Sequence, residues 1–205
     1  MPKISDNVKT LCNNAKKYGA SKATAIPANQ VIVDSRVRLK CTVPVCAGYG
    51  VSLTCPPNVP SPDEFSKVLS MYQNAILVQV PFEMDKEFVG LVGKGAPLAD
   101  VRREQKYQAT LAKNFKLLVG LLCRLEADAQ GMGYRFAVGF SAGSCRLCDK
   151  CVGQGSREPC RHPFEARPAM EAVGIDVVET AKRAGMSFEF PAKGKPVLTG
   201  LLLVD

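Results

Sequence analysis

Apolar positions along this chain follow two patterns, a period near 3.6 residues and short continuous runs. Residues 5–18 set Val8, Leu11, Cys12 and Ala15 on one face, the spacing of an amphipathic helix that stops before Gly19. Two short β-type stretches follow, at Ala23–Ile26 and Val31–Val33. Ser61-Pro62-Asp63-Glu64 is a helix start, with Ser61 as N-cap, Pro62 in the first position and Glu64 closing a capping box. The helix it opens is predicted to reach about Gln73, and Ala75–Val80 is a strand ended by Pro81. Leu98–Gln130 predicts a long helix, terminated by Gly131 and Gly133. Tyr134–Phe140 predicts a strand, and Phe164–Val173 and Asp176–Ala184 predict two short helices. Val197–Val204 is a last strand, apolar enough to be covered on both faces.

Long helices between apolar strands predict one α/β domain over residues 1–205, with a mixed or parallel central sheet flanked by helices. Two segments escape both periods. Residues 38–60 and 141–163 are loops rich in Gly, Pro and Cys, and they carry the chemistry.

The second loop holds Cys145-Arg-Leu-Cys148-Asp-Lys-Cys151, then Cys160-Arg161-His162-Pro163. Two-residue gaps let a tight loop turn its thiols inward, and C-x2-C-x2-C followed by a later C and P is how many cubane iron–sulfur clusters are held. A tetrahedral zinc site also takes four thiolates, but usually as two separated pairs. Three thiols packed in succession fit three corners of a cubane better, with zinc as the alternative. Gly153-Gln-Gly155 lets the loop fold back, so Cys160 could serve either the first three thiols or a second site. That second site is Cys41-x4-Cys46-x8-Cys55-Pro56-Pro57. One or two [4Fe-4S] clusters are therefore expected, with Cys145, Cys148, Cys151, Cys160, Cys41, Cys46 and Cys55 as ligands. The remaining two of nine cysteines, Cys12 and Cys123, read as small core residues.

The pairing of Cys41, Cys46, Tyr49-Gly50 and Cys55-Pro56-Pro57 with the four-thiol run and its Cys160-Arg-His-Pro163 ending resembles a family of predicted metal-binding proteins found mainly in anaerobic archaea and bacteria. The likeness continues through Arg167-Pro168-x2-Glu171-Ala172-x-Gly174-Ile175-Asp176. It implies metal binding at all seven cysteines, iron–sulfur in kind, and supplies no reaction.

Composition changes this picture little. Clustered thiols and the absence of a secretory pattern in the first residues point to a reducing, cytoplasmic setting. No apolar run reaches the roughly 18 residues a bilayer requires. The formal charge of +8 overstates how basic a loaded protein would be, since thiolate-bound clusters add negative charge. Arg102, Arg103, Lys106, Lys113 and Lys116 could line one side of the long helix, but solvated helix faces commonly look so. Docking of an acidic redox partner is favoured over nucleic acid.

Two further patterns mislead. Gly139-Phe-Ser141-Ala-Gly143 matches a nucleophile elbow, yet no helix follows the serine and the cysteine loop begins at once. Gly90-x2-Gly93-Lys94-Gly95 lacks phosphate-loop spacing and reads as a turn. His162, the single histidine, reads as a hydrogen-bonding residue beside a thiol that already supplies the ligand. The leading expectation is a one-electron carrier. The rival is an enzyme whose three-thiolate cluster at Cys41, Cys46 and Cys55 leaves one iron open, and a zinc-stabilised interaction module is the third reading.

Overall fold

Ser5 caps the first helix, α1 (Asp6–Lys17), by accepting the Val8 amide, and the helix buries Val8, Leu11 and Ala15 as its spacing requires. The computed structural model describes residues 5–82, 104–187 and 196–205. Among the described residues four more helices follow: α2 (Leu39–Thr42), α3 (Pro62–Leu69), α4 (Gln105–Gly131) and α5 (Val177–Arg183). The strands are β1 (Lys22–Pro27), β2 (Asn74–Pro81), β3 (Val138–Phe140) and β4 (Val197–Val204), ordered β1-β2-β4-β3 in one sheet.

Alternation along β2 and β4 explains their unbroken apolar sequences. Ala75, Leu77, Leu201 and Leu203 point to one face, where Phe65 and Leu69 of α3, Ala181 of α5, Met170 and Ile175 cover them. Ile76, Val78, Leu202 and Val204 point to the other, against Leu11 of α1 and Leu118, Leu122 and Leu125 of α4. Each such side chain stabilises the fold by about 1.5–3 kcal/mol, so both faces hold the sheet. Gly200 lets α4 come close: a Cβ there would stand 3.0 Å from Leu118 Cδ1 and 3.1 Å from the Phe140 carbonyl. The capping box at Ser61 forms as its residues predict, with Ser61 and Glu64 each accepting the other's amide. Asp176 likewise caps α5 by accepting the Glu179 amide.

The sheet corrects the expectation of parallel or mixed pairing, because every neighbouring pair is antiparallel. β2 and β3 do run the same way, as a crossover through α4 demands. The chain then returns as β4 between them, giving a split β-α-β arrangement that apolar periodicity does not reveal. The stretch at 31–33 forms no strand; Val33 makes a single bridge to Ile175, while Val31 is buried. Nor does a helix span 164–173. Pro168 cannot supply an amide donor, and its carbonyl accepts the Ser141 amide at 2.8 Å, while Met170 donates to the Ser141 carbonyl at 2.9 Å. Only a 3-10 turn at Glu171–Val173 remains of that predicted helix. α3 stops at Leu69, before Gln73, and β3 is shorter than the stretch 134–140 suggests. The predicted start of the long helix at 98–103 and the turn at 90–95 lie outside the described residues. No helix among the described residues is long and apolar enough to cross a membrane.

Candidate metal centre

The first cysteine loop leaves β1 through a 3-10 turn at Ser35–Arg38, capped by Asp34, and enters α2, which carries Cys41. Backbone bonds then fold the loop onto itself. The Cys46 amide donates to Cys41 O at 3.0 Å, Tyr49 to Cys46 O at 3.0 Å, Cys55 to Ser52 O at 3.1 Å and Gly50 to Pro56 O at 2.8 Å. The peptides Val43–Pro44 and Pro56–Pro57 are cis. Cys55 is buried, Cys41 half-buried and Cys46 exposed. Gly48 needs its missing side chain: a Cβ there would stand 3.0 Å from Cys55 Sγ and 3.8 Å from Ser144 Cβ. The first loop thus reaches the second at the very residue before Cys145.

The second loop begins where β3 ends. Ser141 is wholly buried, and its hydroxyl donates to the Arg167 carbonyl at 3.1 Å. This hydroxyl is a fastener between loop entry and loop exit. Cys145, Cys148, Cys151 and Cys160 are each half-buried. Gln154 donates its amide to Val51 O at 3.3 Å, tying this loop to the first, and Arg161 reaches the Lys150 carbonyl at 3.1 Å. The His162 amide points at Cys160 Sγ, 3.4 Å away, a donor of the kind that stabilises anionic sulfur. The His162 ring pairs instead with Glu165, Nδ1 to Oε2 at 2.9 Å, in keeping with a hydrogen-bonding role.

Burial and neighbouring thiols act on three of the thiols. Burial pushes the Cys145 thiol up, the Leu147 amide pulls it back, and Cys160, Cys148 and Cys151 raise it further. Burial also raises Cys55; Ser52 opposes the shift, and Cys46, Cys41 and Cys145 add to it. Cys41 is raised by burial, by Cys46 and by Glu171, and lowered by Arg38. Cys160 therefore lies within reach of Cys145, and Cys41, Cys46 and Cys55 keep one another's company. Cys55 and Cys145 join the two groups. Soft sulfur donors in this number suit iron–sulfur or zinc chemistry, and a cation there would displace their protons. The loops gather the thiols without closing them. Among the described residues, no three His, Cys, Asp or Glu side chains meet tightly enough to hold an ion.

Two acidic residues of this region receive no role from the sequence. Glu126, on α4, is buried and paired with Arg167, which follows the second loop. Its signal is a charge placed among the apolar positions of α4. Glu171 opens the 3-10 turn after that loop, and burial holds its carboxyl well above the ordinary carboxylate range. Cys12 packs on the core beside α4, as predicted. Cys123 departs from the core reading: it is half-buried, and its thiol faces the Phe164 and Glu165 carbonyls at 3.8 Å.

Residues 24–204 match the family described as predicted metal-binding protein (DUF2284), and the chain belongs to that family. No curated protein and no solved structure matches it.

Proposed function

We propose that this member of a predicted metal-binding family is a cytoplasmic iron–sulfur protein that passes single electrons to a partner protein. One cubane would be held by Cys145, Cys148, Cys151 and Cys160, and a second centre by Cys41, Cys46 and Cys55. The observation that carries this reading is the convergence of both thiol groups, with Cys55 in electrostatic reach of Cys41, Cys46 and Cys145. Thiolates from separate loops meeting in one region suit clusters close enough to exchange an electron. Arg38 beside Cys41 and the His162 amide on Cys160 supply the positive charge and donors that lower the cost of anionic sulfur. A cluster would supply one-electron chemistry, while the chain's residues set its potential and its exposure. Leu39, Val43, Val45 and Val51 stand exposed along the first loop, an apolar rim suited to docking a partner near the thiols.

A second reading rests on the count of three thiols in the first group, which leaves one metal position without sulfur from the chain. Such a position could take a substrate, and the protein would then be an enzyme.

Anaerobic purification with iron, sulfide and zinc analysis, together with EPR, tests the proposal. About four iron per chain marks one cubane and about eight marks two. Stoichiometric zinc without sulfide overturns the redox reading. An EPR change on adding cyanide would favour the enzyme over the plain carrier.

A further inference from the structure

Residues 42–47 are exposed at every position, although two of them are valines. Val43 and Val45 stand 72% and 69% exposed, and Leu39, one helical turn before Val43, 57%. The stretch is nevertheless held in shape. The Val43 amide donates to the Leu39 carbonyl at 2.8 Å and the Cys46 amide to the Cys41 carbonyl at 3.0 Å. Thr42 and Val45 form an antiparallel bridge, and the Thr42 hydroxyl donates to the Leu39 carbonyl at 3.3 Å. Local bonds thus hold three aliphatic side chains out in water, where only another surface can bury them. Apolar side chains grouped on one protrusion and framed by polar residues are a feature of docking surfaces.

The frame here has one sign. Arg36, Arg38 and Lys40 lead into the protrusion, and no acidic residue occurs between Asp34 and Asp63. Asp34 is committed to Arg36, and Glu64 is folded back onto Ser61. Arg38 donates to the Pro60 carbonyl at 3.2 Å and Lys40 is exposed; among the described residues neither makes an ion pair. These two cations flank Leu39 in the chain, so charge and apolar surface are presented together. Residues 36–47 include no aromatic side chain, which leaves the bases of a nucleic acid nothing to stack on. A membrane surface is met by a long amphipathic helix bearing Trp, Phe or Leu, whereas α2 has four residues.

We infer that this protrusion is the docking site for an acidic protein, which sets aliphatic side chains on Leu39, Val43 and Val45 and carboxylates on Arg38 and Lys40. This rests on the partner-docking reading given above and adds the partner's charge and its seat. That seat is the first cysteine loop rather than the basic positions of α4. Exposed Cys46 follows Val45 directly, so the partner covers the thiol most open to water.

The test uses the full chain with a photo-crosslinking side chain in place of Val43, and a control with it in place of Met71, 76% exposed beyond α3. Proteins captured in the cells that make this chain are identified by mass and then purified. The affinity of each for wild type, Lys40→Glu and Val43→Ser is measured at low and high salt, with circular dichroism of all three. Val43 is expected to capture a protein of net negative charge that Met71 does not. Each variant should bind it about tenfold or more weakly with unchanged dichroism, and salt should weaken the wild-type complex. Equal affinity in both variants would overturn the assignment. So would capture of nothing, of a basic protein or of a second copy of this chain, or binding of phosphatidylserine vesicles in place of a protein. Iron and sulfide in the same preparations report on the redox reading separately. A chain without cluster that docks the acidic protein sinks that reading and leaves the seat standing, and a loaded chain that docks nothing does the reverse.

Discussion

Arg167 grips Glu126 through two of its nitrogens, Nε reaching Oε1 at 2.6 Å and an Nη closing on Oε2. The same Oε1 accepts the Gly139 amide at 2.6 Å. One carboxylate thus binds α4, the strand entering the second cysteine loop and the segment leaving it. Both side chains are nearly out of water, at 14% and 10% exposure, so removing one leaves the other uncompensated. Glu126→Gln is expected to destabilise the fold by about 3–5 kcal/mol. Denaturant titration of the metal-free protein measures this, and a change under about 1 kcal/mol would show the pair to be ornamental. Metal content of the second loop should fall in the same variant.

Cys148 sits in the middle of the four-thiol run, and Cys12 packs on the core far along the chain. If metal affinity and folding are coupled at the second loop, Cys148→Ser lowers both iron content and melting temperature, and Cys12→Ser leaves the iron in place. Metal analysis and thermal melting of the two variants, side by side, check this. Equal iron in both would remove Cys148 from the ligand set.

Gly48→Ala probes the contact between the loops. The new methyl would start 3.0 Å from Cys55 Sγ, so the thiol or the loop must shift by a few tenths of an ångström. Overpacking of this kind typically costs about 1–3 kcal/mol. The expected outcome is loss of metal at Cys41, Cys46 and Cys55 with the second group still loaded. EPR that loses the signals of both centres together would instead mark a general collapse.

Asp34 gives the fold a dependence on acid. Arg36, which binds it through Nε and Nη2, and the Arg36 amide it accepts hold its carboxyl down at about 2, against an ordinary 3.8. The folded form therefore binds its proton more weakly than the unfolded form. The resulting stability is present above about pH 4 and is lost as pH falls through the window toward 2. Asp34→Asn should flatten that part of the stability profile of the metal-free protein. Parallel acid-denaturation curves for the two proteins measure it, and coincident slopes below pH 4 would refute the linkage.

How far the sequence discloses all this depends on the range of the signal. α1, the capped start of α3, α5 with Asp176, and the two long strands are written locally, in caps and apolar spacing, and they form where expected. Pairing is not local. Nothing near Val197–Val204 tells that it lies between β2 and β3, so a crossover that looks parallel becomes part of an antiparallel sheet. Phe164–Val173 has helical spacing, but Pro168 and the exchange of bonds with Ser141 pull it straight. The cysteine spacing marks both loops. That Cys55 and Cys145 come within reach of each other's charge depends on contacts across ninety residues of chain, which cysteine spacing does not record.

β4 follows both cysteine loops in chain order yet occupies an interior place in the sheet. During synthesis, β1 and β2 can pair while β3 has no strand to pair with until β4 arrives. Every sulfur has then already emerged from the ribosome. Insertion of that last strand gives the entry to the second loop its strand partner, so the loop gains its fixed edge only when the sheet is complete.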